Sequence, residues 1–117
     1  MLCIYNPCTD PYFNLAVEEY VMKNFTEDVF MLWRNDKSVI IGKYQNSAAE
    51  INIDFVNENG VKVVRRMTGG GAVFHDLGNL NFSFIVPYEL YDQSRQFAVL
   101  QRAVADYGLE TEGSGRN

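Results

Sequence analysis

The residues best placed by type and spacing to do chemistry lie in one stretch, Arg65-Arg66-Met67-Thr68-Gly69-Gly70-Gly71-Ala72-Val73-Phe74-His75-Asp76-Leu77-Gly78-Asn79. Three consecutive glycines in a regular element cost about 0.5–1 kcal/mol each relative to Ala, so such a run points to positive φ or to something lying against bare peptide. Unobstructed N–H groups bind phosphate oxygens, and a preceding Arg offers a planar, permanently charged fork for the same oxygens. Together they predict a local anion site. The same residues also read as a flexible hairpin loop beside a solvated Arg pair, and spacing alone does not separate the two. If both arginines lie in a strand they point to opposite faces, so only one serves the pocket.

His75 is the sole histidine. Without a second metal ligand at strand or helix spacing it reads first as a structural hydrogen-bonding residue and only second as a general base. Asp76, before Leu77-Gly78, reads as a turn residue. Trp33 reads as core, although its size and indole N–H also suit the wall of a ligand pocket. Gln45 and Asn46 follow a strand end and are candidate amide contacts, against the alternative that they satisfy their own backbone. Cys3 and Cys8 form neither a disulfide framework nor a zinc site, and nothing beside them activates a thiolate, so both are expected as reduced thiols. Gly113-Ser114-Gly115 lacks the strand-turn-helix context and downstream His of a nucleophile elbow.

These groups need elements to position them. The 117 residues carry 47% hydrophobic and 21% charged residues, with eight Phe, seven Tyr and one Trp, which suits one packed domain with one core. A net charge of -5 disfavours polynucleotides as partners while leaving room for a local cationic pocket. No apolar run is long enough to span a membrane, and the start lacks the features of a signal peptide, so a cytoplasmic protein is expected.

Asp10 as N-cap and Pro11 at the first helical position predict a helix to about Asn24, with Phe13, Ala16, Val17, Tyr20 and Val21 on its apolar face. Val29–Arg34 and Ser38–Lys43 are strand-like and separated by Asn35-Asp36-Lys37, which predicts a hairpin with Trp33 near its closed end. Tyr44–Ala49 reads as irregular and Asp54–Asn59 as a short helix. Strands are expected over Val61–Arg66, Ala72–His75 and Asn79–Val86. Asp92 is expected to cap a helix in which Phe97, Leu100, Val104 and Tyr107 share a face, ended by Gly108. The order predicts an α+β fold, a mixed and mostly antiparallel sheet packed with helices. Rossmann and Walker geometries fail, because Gly69-Gly70-Gly71 runs into the strand-like Ala72-Val73-Phe74-His75.

With those residues laid out, the chain resembles the amino-terminal part of the lipoate-protein ligases. The resemblance runs through Asp10-Pro11-Tyr12-Phe13-Asn14-Leu15-Ala16-Val17-Glu18-Glu19, Leu32-Trp33-Arg34, Ile40 to Asn46, the Arg65 to Asn79 block and Ser114-Gly115-Arg116-Asn117. It implies the biotin/lipoate ligase fold, related to class II aminoacyl-tRNA synthetase catalytic domains. It also implies ATP-dependent activation of lipoate to lipoyl-AMP, followed by transfer to a lysine of an acceptor domain in 2-oxoacid dehydrogenase or glycine cleavage proteins. ATP, with Mg2+ in the substrate complex, and lipoate or octanoate would be its ligands.

Carried over by position, Arg66, Gly71, Ala72, Val73 and Phe74 would contact ATP and the adenylate, and Trp33 and Gly70 the lipoyl chain. His75, Asp76, Asn79 and Asn117 are further candidates. The family's catalytic lysine, in a Lys-x-Ser-Gly segment, would lie beyond Asn117. Residues 1–117 are therefore expected to be the amino-terminal portion of the catalytic domain, truncated before that lysine, inactive alone and prone to self-association through an exposed edge. The alternatives are a lipoyl or octanoyl transferase of the same superfamily, and a non-catalytic ligand-binding or partner-docking fragment.

Overall fold

The computed structural model describes residues 1–112, and the candidate Asn117 lies outside them. The chain divides into a unit over Met1–Ile85 and a second beginning at Val86. In the first, β1 (Leu2–Asn6) leads through a polar loop into α1 (Pro11–Asn24). Asp10 accepts from the Tyr12 amide and Pro11 occupies the first turn, the expected start. The expected face is only partly the buried one: Val21 lies in the core and Val17 packs against it, but two of its aromatics do not. Pro11, Asn14 and Val21 are buried, whereas Phe13 and Tyr20 are 52% and 62% exposed. A polar residue holds the centre of the helix's inner face because it has partners there, described below.

β2 (Val29–Arg34) alternates buried and less buried residues, with Val29, Met31 and Trp33 facing inward. Together with Val21 of α1 these three form the core, and Ile4, Leu15, Val17 and Ile85 pack against it. Burying each such side chain fully is worth about 1.5–3 kcal/mol. β2 pairs in parallel with β1 and antiparallel with β6 (Leu80–Ile85), in the order β1-β2-β6. The register sets Trp33 opposite Asn81 and Met31 opposite Ser83.

A second sheet has the order β4-β3-β5, from β3 (Ser38–Ile41), β4 (Lys62–Arg65) and β5 (Val73–His75). β3 is parallel to β4 and antiparallel to β5. The hairpin expected from β2 and β3 is thus not formed, since the two strands belong to different sheets. Their connection is instead tied to the start of α1: the Asp36 amide donates to the Thr9 carbonyl, and Asn35 is fully buried. The fold is α+β with mixed sheets, each holding one parallel and one antiparallel ladder, so antiparallel pairing does not predominate.

Between β3 and β4 lie α2 (Ser47–Glu50), capped by Asn46, and α3 (Ile53–Glu58), capped by Asn52 rather than by the expected Asp54. The stretch expected to be irregular is therefore partly helical. The second unit holds a 3-10 turn at Tyr88–Leu90 and α4 (Gln93–Ala105), capped by Asp92 and followed by Gly108 at φ 80. Tyr107 falls past the helix end and is exposed. Among the described residues, no helix is long and apolar enough to cross a membrane.

Candidate functional site

Two loops at the ends of β3 and β4 meet face to face, one from Gly42 to Asn46 and the other from Arg66 to Gly71. The Lys43 amide donates to the Thr68 carbonyl at 2.9 Å, and the Arg66 amide to the Ile41 carbonyl at 2.9 Å. β4 ends at Arg65, and the two arginines diverge to grip different loops. Arg65 Nη1 donates to the carbonyls of Gly42 (2.9 Å), Lys43 (3.2 Å) and Gln45 (2.7 Å). Arg66 Nη2 donates to the carbonyls of Gly69 and Gly71, both at 2.8 Å, and Nη1 reaches the Ile40 carbonyl at 3.3 Å. Both arginines thus organise the site, one on each loop.

The glycine run divides by function. Gly70 has φ 97, and a Cβ there would meet Arg66 Nη2 at 2.8 Å, so this position needs glycine for its backbone and for the guanidinium beside it. At Gly69 and Gly71 a Cβ would meet nothing within 4 Å. Packing does not require glycine at these two positions, which leaves their bare peptides open beside a cation. Val73 and Phe74 lie on β5, the outer strand of its sheet, where one edge of the backbone has no ladder partner among the described residues.

Behind the loop runs a chain of buried amides. Asn14, fully buried, shares the two hydrogens of its Nδ2 among three acceptors, the carbonyls of Cys8 (2.9 Å) and Arg34 (2.8 Å) and Asn35 Oδ1 (3.0 Å), and its Oδ1 accepts from Asn6 Nδ2 at 2.9 Å. Asn35 Nδ2 then lies 3.1 Å from His75 Nδ1. The His75 ring stands edge-on to Trp33, with centroids 6.4 Å apart. Burial and then the Arg66 guanidinium lower the His75 pKa from its ordinary value, keeping the imidazole neutral.

That depression fixes a sign for stability. Below about pH 6.5 the unfolded chain takes up a proton that the native state resists, so stability falls as pH drops from there toward the folded-state pKa. Urea unfolding of wild type and His75→Gln at pH 7.5 and 5.5 checks this. The wild type is expected to lose more stability than the variant, and equal losses would refute the assignment.

Trp33 is 5% exposed, and its Nε1 donates to Ser83 Oγ at 3.2 Å, which in turn donates to Glu18 Oε1. It is both core and cleft wall. A cavity of about 190 Å³ is lined by Leu15, Glu18, Trp33, Ile40, Arg66, Thr68, Val73, His75, Asn81 and Phe82. A neighbouring cleft of about 390 Å³ shares Leu15, Glu18, Thr68 and Phe82 and continues past Arg65 and Met67 along α1.

The structure therefore gathers Trp33, Arg66, Val73 and His75 around one cavity. Asp76 makes the expected turn, with Oδ1 accepting from the Gly78 amide at 2.8 Å. Gln45 accepts from the Gly42 amide and Asn46 from Ala48, so both satisfy local backbone. Asn79 is exposed and donates to Asn81 Oδ1 at 2.9 Å. Sequence reasoning did not single out the roles of Asn14, Glu18, Asn35, Asn81 and Ser83. The available signal was Asn14 on the same helical stripe as Pro11 and Val21.

Residues 10–117 match the sequence model of the lipoyl protein ligase A/B catalytic domain. Lipoate-protein ligase LplJ of Bacillus subtilis is 48% identical over 114 residues, covering 92% of this chain and 34% of that protein. Among solved structures, LipL1 of P. falciparum in complex with lipoate superposes with a TM-score of 0.91 at 35% identity, over 99% of this chain and 39% of its own. Lipoate-protein ligase A bound with ATP gives 0.84 at 30% identity, over 99% and 51%. The chain spans about a third of the length of the curated relatives it matches.

Proposed function

Since this chain belongs to the lipoyl protein ligase A/B catalytic domain family, we propose that it forms the adenylate-binding part of an ATP-dependent lipoate-protein ligase. The observation that carries the proposal is the pair Gly69 and Gly71, open to at least 4 Å where a Cβ would stand and flanking the Arg66 guanidinium. In the first step a carboxylate oxygen of lipoate attacks the α-phosphorus of ATP, and the bond to the bridging oxygen breaks to release pyrophosphate. In the second, the ε-amine of an acceptor lysine attacks the acyl carbonyl, loses a proton and expels AMP.

The contribution of these residues is positioning and charge stabilisation. Arg66 and the Gly71 to Phe74 backbone hold the phosphate and nucleotide, while Gly70 and Trp33 border the acyl chain. Mg2+ enters with the triphosphate as part of the substrate complex. Because the chain spans a third of its relatives, we assign the catalytic lysine to a segment outside these residues. The acceptor is a lipoyl domain of a 2-oxoacid dehydrogenase or glycine cleavage protein.

Calorimetric titration of the 117-residue chain with a non-hydrolysable lipoyl-sulfamoyl adenosine tests the reading. Binding is expected, weakened on the order of 10- to 100-fold by Arg66→Ala through loss of charged hydrogen bonds. Arg66→Lys is not expected to restore it, because an ammonium cannot fork across two carbonyls and a phosphate. Absence of binding, or indifference to Arg66→Ala, counts against the proposal.

A further inference from the structure

Apart from Arg66, the polar wall of the Trp33 cavity is not used by the nucleotide chemistry, and two of its groups are nitrogen donors without partners among the described residues. The first is Asn81. Its Oδ1 accepts from Asn79, but its Nδ2 is buried and makes no hydrogen bond among the described residues. A buried donor left unmade costs stability, and replacing it by an apolar group of the same shape does not. Such a group is expected where a ligand completes it.

The second donor follows from the amide chain. The carbonyls of Cys8 and Arg34 can only accept, so the atom of Asn14 facing them is its nitrogen. That nitrogen also faces Asn35, which must therefore present its oxygen to Asn14 and its NH2 to His75. An NH2 has no lone pair to offer, so His75 Nδ1 is the acceptor and the ring proton sits on Nε2. Nε2 has no partner among the described residues. The register places both donors beside one ring, with Asn81 directly opposite Trp33 on the neighbouring strand and His75 edge-on to its indole.

We propose that Asn81 Nδ2 and His75 Nε2 form a paired-donor subsite that takes one oxygen of a carboxylate ligand, with Asn14 and Asn35 as positioning residues that hold His75 in its donor tautomer. This deepens the reading of the cavity as an acyl pocket and rests on it. The charged groups facing the cavity are Arg66 from the glycine loop and Glu18 from α1. Arg66 favours an anion there, and Glu18 is engaged by Ser83.

A single histidine makes the test direct. Long-range proton–nitrogen correlation on the 15N-labelled 117-residue chain at pH 7.5 is expected to show Nδ1 unprotonated and Nε2 protonated. In Asn35→Asp, a carboxylate replaces the NH2, so Nδ1 is expected to gain a proton and the His75 titration to move up. Octanoate serves as the carboxylate probe. Its titration is expected to shift the His75 Nε2 and Asn81 Nδ2 signals together. Asn81→Leu should weaken octanoate binding about tenfold or more while leaving the urea midpoint unchanged or raised.

A protonated Nδ1 in the wild type, or octanoate that leaves both signals in place at millimolar concentration, overturns the proposal. So does an Asn81→Leu variant that loses stability and keeps its affinity. If the adenylate analogue binds while octanoate moves neither signal, the subsite fails and the ligase reading stands. Paired shifts with no binding of the analogue give the reverse.

Discussion

Asn14→Leu is expected to destabilise the chain by about 3–5 kcal/mol, a large share of the stability of a domain this size. Leu has the same heavy-atom count and branching as Asn and is the bulkier of the two, so the effect is not a cavity. It comes from the groups left behind: the carbonyls of Cys8 and Arg34, the Asn35 oxygen and the Asn6 amide all lose their partner at once. Asn14 and Asn35 are both 0% exposed, and water does not reach the Asn35 oxygen to replace what is lost. Each orphaned buried group costs about 1–3 kcal/mol, and relaxation recovers part of the sum.

Asn14→Asp should be worse at neutral pH despite being nearly isosteric, because a carboxylate would face two carbonyls and an amide oxygen. Burial and those neighbours raise the folded-state pKa of the introduced acid. Its native form then holds a proton that the unfolded chain has lost, so the variant recovers relative to wild type as pH falls toward about 4 and worsens as pH rises through the folded-state pKa. Urea unfolding followed by the single Trp33 reads both effects, with a midpoint drop of roughly 2 M for Asn14→Leu. A drop equivalent to under about 1 kcal/mol would show that the network is dispensable.

These asparagines mark the limit of what could be read from the chain. The start of α1 was legible because a cap and a first-turn proline act within four residues. The Arg65 to Asn79 block stood out through its resemblance to the lipoate-protein ligases, because three glycines after an arginine pair read equally well as a flexible loop. Strand partnership was not, since it depends on competition between ladders distant in sequence. Asn35-Asp36-Lys37 has good turn chemistry, but burying Asn35 and tying Asp36 to Thr9 holds the connection against α1 and sends β2 and β3 to different sheets. The inner face of α1 was read correctly at Val17 and Val21 but not at Phe13, Asn14 and Tyr20, for a related reason. Hydrophobic periodicity counts Phe13 and Tyr20 and discounts Asn14, whereas the structure buries the residue whose polar atoms are all engaged.

Gly42→Ala is expected to have the largest effect on ligand binding of any single methyl added to the site. A Cβ at this position would stand 2.0 Å from the Gly70 oxygen and 3.0 Å from its carbonyl carbon, so backbone rather than a flexible side chain must move. Gly42 is buried, its amide donates to Gln45 Oε1 at 2.8 Å and its carbonyl is held by Arg65, which prevents its own loop from yielding. The glycine loop must therefore shift by an ångström or more. That movement strains the Lys43–Thr68 bond and the Arg66 contacts to Gly69 and Gly71.

A stability loss of about 1–3 kcal/mol is expected from overpacking. Affinity for the adenylate analogue should fall on the order of 100-fold, since misplacement by about 1 Å is enough to spoil a positioned site. Gly69→Ala and Gly71→Ala supply the contrast. With nothing within 4 Å of either Cβ, both should leave the urea midpoint nearly unchanged, so any loss of analogue binding in them comes from the ligand meeting the added methyl. If Gly42→Ala binds as the wild type does, the two loops are not coupled as their geometry requires. If Gly69→Ala and Gly71→Ala also bind normally, the phosphate does not lie against this peptide. Stability and affinity measured on the three variants thus separate a glycine kept for the protein's own packing from glycines kept for what the protein holds.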